Sequence, residues 1–248
     1  MSNVTFPTEI VDLPSKGKFY PTGHPLASGQ IELKYMTAKE EDILTSQNLI
    51  QKGVVLDKLI DSLIVTNGVT HEDLFIGDLN AVMVAARILG YGKDYNISVT
   101  CPKCSAVEDH TVDLTELETK EISDDSNFTF KLPVSGKTIK IKLLTRKVEK
   151  DIEKELTAIK KVGLQVEPEA TTRLRYIIAE VDGSSDSKVI RETVENMLVK
   201  DSRALREFYK TITPDVVFET TFVCSKCSHS DTLPLTLGAN FFWPDARI

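Results

Sequence analysis

Four cysteines in two Cys-x-x-Cys pairs are the residues best suited to chemistry. Cys101 and Cys104 stand in CPKC, Cys224 and Cys227 in CSKC, and the chain has no other cysteine. Four thiolates meet the need of a tetrahedral zinc ion, with Zn–S distances of about 2.3 Å, and each CxxC turn offers two sulfurs with the right bite. The usual ribbon spacing is roughly 15–20 residues between pairs. Here 119 residues separate Cys104 from Cys224, so zinc binding requires a whole subdomain inserted between two knuckles. A redox pair normally sets its first cysteine at a helix N-terminus, where the dipole lowers the thiol pKa. Both pairs here run instead into polar turns and then alternating strands. Four reduced, unliganded thiols are the other alternative. The sequence predicts one structural zinc ion on Cys101, Cys104, Cys224 and Cys227.

Other candidate chemistry is weaker. His229 lies two residues past Cys227 and could replace a cysteine as ligand, but it reads better as a turn residue, as does His110 in the first half. His24 and His71 stand apart, and no two histidines have the i, i+4 spacing of a helical metal site. Ser135-Gly-Lys-Thr138 matches the end of a phosphate-binding loop, yet Lys131 stands where that pattern needs glycine. An alternating strand follows where a helix is required to cradle phosphate. Carboxylate pairs such as Glu153 and Glu155 fall on polar helix faces, and no GxSxG elbow is present. The expectation is a protein that is not an enzyme.

The elements that must position the cysteines follow from hydrophobic period. Tyr95, Ile97 and Val99 alternate into CPKC, and Val112 and Leu114 lead away from it. Phe218, Thr220 and Phe222 lead into CSKC, and Leu233, Leu235 and Leu237 leave it. The strand–CxxC–strand unit therefore occurs twice. A helical block precedes the first copy. Thr37 and Glu40 fit a capping box, with Ile43, Leu44 and Leu49 continuing that helix to Gly53. Leu56, Leu59, Ile60, Leu63 and Ile64 form the next helical face. A third helix begins near Asp78 and ends at Gly90 and Gly92. Between the copies lie a hairpin turning at Val134-Ser-Gly136 and a second helical block. That block carries faces at Val148–Ile159, Leu174–Val181 and Ile190–Leu198, and closes on Leu205, Phe208 and Tyr209.

The fold class this implies is α+β: two helical blocks around a small antiparallel zinc-ribbon-like sheet. Its parts are an irregular N-terminal arm with a short strand (1–36), a helical block (37–95), ribbon-like halves (96–115 plus 213–238), a hairpin (127–145), an inserted helical block (146–212) and an aromatic tail (239–248).

With 30 Lys and Arg against 37 Asp and Glu, the 248-residue chain carries a net charge of −7. That disfavours broad charge-driven binding to nucleic acid or anionic membrane, which needs a basic face. No apolar run approaches the roughly 18 residues of a membrane span. The N-terminus lacks the basic start and apolar centre of a secretory signal, so the chain is expected to begin in a cytoplasm. One basic stretch, Lys137, Lys140, Lys142, Arg146 and Lys147, keeps open the alternative of a zinc-ribbon nucleic-acid-binding regulator. Phe19 and Tyr20 in the arm and Phe241, Phe242 and Trp243 in the tail are candidates for partner docking, since aromatic anchors are enriched at interfaces.

The arm Leu13-Pro-Ser-Lys-Gly-Lys-Phe-Tyr-Pro21 and the stretch Ile31-Glu-Leu-Lys-Tyr-Met-Thr-Ala-Lys-Glu-Glu-Asp42 resemble the baseplate proteins of T-even-type contractile-tailed phages. Gly53-Val-Val-Leu-Asp-Lys-Leu-Ile60, Arg87-Ile-Leu-Gly-Tyr-Gly92 and CPKC extend the resemblance over roughly residues 11–105. It implies a non-enzymatic baseplate hub component or hub-assembly factor, with other phage baseplate and hub proteins as partners. The implied location is the host cytoplasm during assembly and, for a part that is retained, the virion tail baseplate; a factor that leaves after assembly is the alternative.

Overall fold

The computed structural model describes residues 6–120, 128–162, 168–237 and 239–242. In chain order the elements are strands β1 (Thr8–Asp12) and β2 (Gln30–Lys34), then helices α1 (Ala38–Thr45), α2 (Gln47–Gln51), α3 (Val55–Leu63) and α4 (Ile76–Tyr91). Strands β3 (Asp94–Thr100), β4 (Val107–Asp113) and β5 (Thr119–Lys120) follow, then β6 (Thr129–Lys131) and β7 (Thr138–Ile141). Helices α5 (Arg146–Lys161) and α6 (Glu169–Ile177) lead to β8 (Ile178–Val181), then α7 (Ser187–Glu195) and α8 (Val199–Ile212). The chain ends in β9 (Asp215–Val216), β10 (Glu219–Val223), β11 (Ser230–Pro234) and the short α9 (Ala239–Phe242). Helices mixed with small antiparallel sheets make this an α+β protein.

The chain divides into two compact units. One comprises residues 1–71, 80–120 and 215–248; the other comprises 72–79 and 121–214. In the first unit, β1 and β2 pair antiparallel from Thr8↔Lys34 to Asp12↔Gln30. Between these strands the proline-rich segment is irregular, as expected, yet it is tucked in, with Leu13, Ser15 and Leu26 buried. Gly17 (φ +75°) is required there, because a Cβ would stand 2.5 Å from the Ala27 carbonyl oxygen. Strand β1 itself was not expected. Thr8-Glu-Ile-Val-Asp12 has almost no buried face, so it lacks the alternation by which strands announce themselves.

Thr37 and Glu40 form the capping box that opens α1. The expected continuation to Gly53 is interrupted at Ser46, whose backbone is extended (φ −68°, ψ 102°). Its carbonyl then accepts from the Leu49 and Ile50 N–H groups and starts α2. Helix α3 follows its apolar period, burying Leu59, Ile60 and Leu63. Helix α4 begins two residues earlier than expected and closes at Gly92 (φ +84°). Gly90 has a separate purpose: a Cβ there would stand 2.5 Å from the Met36 sulfur.

In the second unit, β6, β7 and β8 form a three-stranded antiparallel sheet. Here the expected helical face Leu174–Val181 is corrected. Helix α6 stops at Ile177, and Ile178–Val181 pairs with β7 through Ile141↔Ile178 and Ile139↔Val181. Positions 174, 177, 178 and 181 fit a helical period, but the β-branched end of the segment finds a strand edge, and that pairing decides. Helix α7 likewise ends at Glu195, before Met197 and Leu198. The core joins Ile139, Ile141, Ile152, Leu174, Val194 and Leu205. The Val134-Ser-Gly136 turn is held by buried Asp201, whose two carboxylate oxygens accept from the N–H groups of Val134 (2.8 Å) and Ser135 (3.0 Å). No helix among the described residues is long and apolar enough to cross a membrane.

Candidate metal centre

Two hairpins of the first unit deliver the cysteines. Strands β3 and β4 pair from Asp94↔Asp113 to Thr100↔Val107, and the turn between them holds Cys101 and Cys104. Strands β10 and β11 pair from Glu219↔Pro234 to Val223↔Ser230 around Cys224 and Cys227. The two turns repeat each other bond for bond. Cys101 N–H donates to the Ala106 carbonyl and Ser105 N–H to the Cys101 carbonyl, both at 2.9 Å. Cys224 N–H donates to the His229 carbonyl and Ser228 N–H to the Cys224 carbonyl, again at 2.9 Å. Ser105 (φ 59°) and Ser228 (φ 55°) both adopt the left-handed conformation, which costs roughly 1 kcal/mol for a residue with a Cβ. The expected single ribbon sheet is thus corrected: the halves are separate two-stranded sheets, joined by packing rather than by a ladder.

That packing is a small apolar cluster of Val99, Cys101, Phe222 and Cys224, with Ile97 and Leu233 against it. It brings all four Sγ atoms within 4.8 Å of one another. Cys101 and Cys227 are 3.7 Å apart and Cys104 and Cys224 3.6 Å, both distances spanning from one hairpin to the other. Sulfurs around a tetrahedral ion with bonds of about 2.3 Å would stand about 3.8 Å apart. The donor set and its spacing therefore fit a thiophilic, tetrahedral metal.

Local electrostatics agree with the donor set. Burial raises the Cys101 pKa, but the N–H groups of Cys104 and Lys103 outweigh it and bring the thiol down to about 7. Burial pushes the Cys224 thiol up despite the matching N–H groups of Cys227 and Lys226. The Ala106 N–H favours the Cys104 thiolate and the His229 N–H that of Cys227, yet burial and neighbouring sulfurs leave both thiols raised. One sulfur ionises readily and the next resist, since thiolates this close repel. A divalent cation removes that conflict.

Glu108 on β4 ties the first hairpin to the second turn, a link with no sequence signal. Its carboxylate accepts from Ser225 N–H at 3.0 Å and Ser225 Oγ–H at 2.9 Å, with one oxygen 3.5 Å from Cys224 Sγ. No reciprocal bond forms, because Pro102 occupies the place of Ser225 in the first turn and has no N–H.

Among the described residues no histidine joins the four-sulfur group. His110 meets Thr220 Oγ1 at 3.5 Å and the Phe222 ring edge-on. His24 stacks on Tyr20. His71 bonds Asp61 through Nδ1 at 2.7 Å. His229 serves its turn through its carbonyl.

The aromatic docking candidates differ in exposure. Phe241 and Phe242 are only 2% and 1% exposed, and Phe241 packs edge-on against Tyr95. Tyr20 is buried and Phe19 half-buried, while Trp243 lies outside the described residues. Tyr20, Phe241 and Phe242 thus pack within the chain itself. Arg87, which sequence reasoning passed over, organises the tail. It is 1% exposed and donates to the carbonyls of Phe241 (2.9 Å), Gly92 (2.9 Å) and Asp94 (3.3 Å). Its guanidinium also lies over the rings of Tyr91 and Tyr95.

A family model described as T4 bacteriophage base plate protein matches residues 6–243, a span that includes both cysteine turns. No curated protein and no solved structure compared with the chain gives a significant match. On a match of nearly its whole length, the chain belongs to the T4 bacteriophage base plate protein family.

Proposed function

We propose that this chain is a component or assembly factor of the baseplate hub whose two remote segments are clasped by one zinc ion on Cys101, Cys104, Cys224 and Cys227. The family gives it a structural role in the phage tail baseplate, with other phage structural proteins as partners. The observation that carries the metal reading is the convergence of four sulfurs within 4.8 Å. Zinc suits them because it is redox-inert and takes four thiolates tetrahedrally. The ion would neutralise the thiolates and tie the hairpins together, so that its binding free energy becomes folding free energy. The chain acts through protein–protein contacts in the host cytoplasm during assembly, and at the tail where it is retained as a component.

The nucleic-acid alternative gains no support from its basic stretch. Lys140 pairs with Glu180 at 2.8 Å, Arg146 with Glu153 at 2.9 Å, and Lys137 donates to Thr193. Assembly tests the proposal. Phage tails made with a Cys101→Ser/Cys224→Ser chain should contain few complete baseplates by electron microscopy. Normal baseplate yield with that variant would sink the clasp's role in assembly.

A further inference from the structure

Beside the metal centre, the same two hairpins leave two strand edges open along one groove. In an antiparallel ladder, hydrogen-bonded pairs alternate with non-bonded ones. Leu114 N–H donates to the Lys93 carbonyl at one end of the first hairpin, and Cys101 N–H to the Ala106 carbonyl at the other. Counting through the register between them makes Tyr95↔Val112, Ile97↔His110 and Val99↔Glu108 the bonded pairs. The N–H and C=O groups of Asp109, Thr111 and Asp113 therefore point away from β3. In the second hairpin, Leu235 N–H donates to Phe218 O and Cys224 N–H to His229 O. The same count turns the backbone groups of Glu219, Thr221 and Val223 away from β11. Among the described residues, none of these outward groups has a backbone partner.

Four of these residues line one cavity. A groove of about 550 Å³ runs along β4 and β10, and its walls include Thr111, Asp113, Glu219 and Thr221 together with Glu116 and Glu118. No lysine or arginine lines it. Toward the metal centre the same two edges continue into Val107 and Val223, which are 67% and 59% exposed. Open strand edges are ready templates for an added strand. Here the wall charge selects what can be added.

We infer that this groove takes an extended, basic segment of a partner protein by strand addition, with backbone bonds to β4 or β10 and cationic side chains on Glu116, Glu118 and Glu219; Asp113 is already held by Lys93 at 2.6 Å. Main-chain bonding would supply affinity, and alternate side chains specificity. A second copy of the chain does not fit, because its own edges bring Asp109 and Glu219, with Glu116 and Glu118 beside them, against like charges. The inference rests on the baseplate reading only for the kind of partner, another structural protein.

The probe is a labelled synthetic peptide of alternating lysine and valine, titrated by fluorescence anisotropy against the full-length protein. Saturable binding is expected, with no binding of the glutamate–valine counterpart. Glu116→Lys/Glu118→Lys/Glu219→Lys should weaken it by about tenfold or more. Thr111→Pro/Thr221→Pro should do the same, because proline removes two outward N–H groups while sparing both ladders. Should the proline variant not fold, amide exchange in the wild-type protein decides: peptide must slow the Thr111 or Thr221 amide. Absence of saturable binding, or binding with neither a proline effect nor slowed exchange, overturns strand addition. Such a failure leaves family membership and the metal centre intact, since neither uses the groove.

Discussion

Cys101 Sγ lies 3.7 Å from Cys227 Sγ, although 126 positions of chain separate the two residues. Sulfurs of different hairpins therefore stand in contact. A metal ion bound at this point would cross-link the two ends of a long insertion, adding to the small apolar cluster that joins the hairpins.

Removing it should be felt throughout the first unit. Cys101→Ser and Cys224→Ser are each expected to abolish metal binding and to lower the melting temperature by on the order of 10 °C. A chelator should have the same effect on the wild type. Calorimetry with and without chelator checks this, and the variants should lose their chelator response.

Acid should attack a separate point. Burial raises the Glu40 pKa, but Lys34 at 2.7 Å and the Thr37 hydroxyl and N–H outweigh it and hold the carboxyl at about 2, below its ordinary 4.5. A folded-state pKa below the unfolded value stabilises above pH 4.5 and loses that contribution as pH falls toward 2. Glu40→Gln should cost roughly 2 kcal/mol at pH 7 and little at pH 2. Urea titrations at the two pH values measure the difference.

Arg87→Leu is expected to destabilise the protein by about 2 kcal/mol, because the buried Phe241 carbonyl and the part-buried Gly92 and Asp94 carbonyls lose their donor. Arg87→Lys should recover only part, since an ammonium cannot fork to three acceptors and stack on two rings. Limited proteolysis should cut the variants first near Phe241, whose carbonyl Arg87 holds.

In the second unit, Asp201→Ala should free the turn at Val134 and Ser135 without unfolding the sheet. Burial raises the Asp201 pKa, but the N–H groups of Val134 and Ser135 prevail and keep it ionised at neutral pH. Amide exchange at those two residues should accelerate by about tenfold or more. Unchanged exchange would show that the turn holds itself.

The cysteine hairpins were legible because period-two alternation runs into both CxxC turns, and the helices α3 and α5 because their apolar faces are regular. What escaped the sequence has physical causes. Strand β1 hides because neither of its faces is buried, and β8 because Ile178 and Val181 also fit a helix. The Ser46 break depends on one backbone angle. Glu108 and Arg87 act on partners 117 and 154 positions away, a reach no local pattern encodes. Phe241 and Phe242 read as surface anchors because adjacent aromatics near a chain end carry no sign of the core that receives them.

The most direct measurement is native mass spectrometry of the purified full-length protein, with reactive thiols counted before and after chelation. One zinc ion per chain, with four thiols protected until the chelator is added, is the predicted result. A metal-free chain with four freely reactive thiols would contradict the clasp.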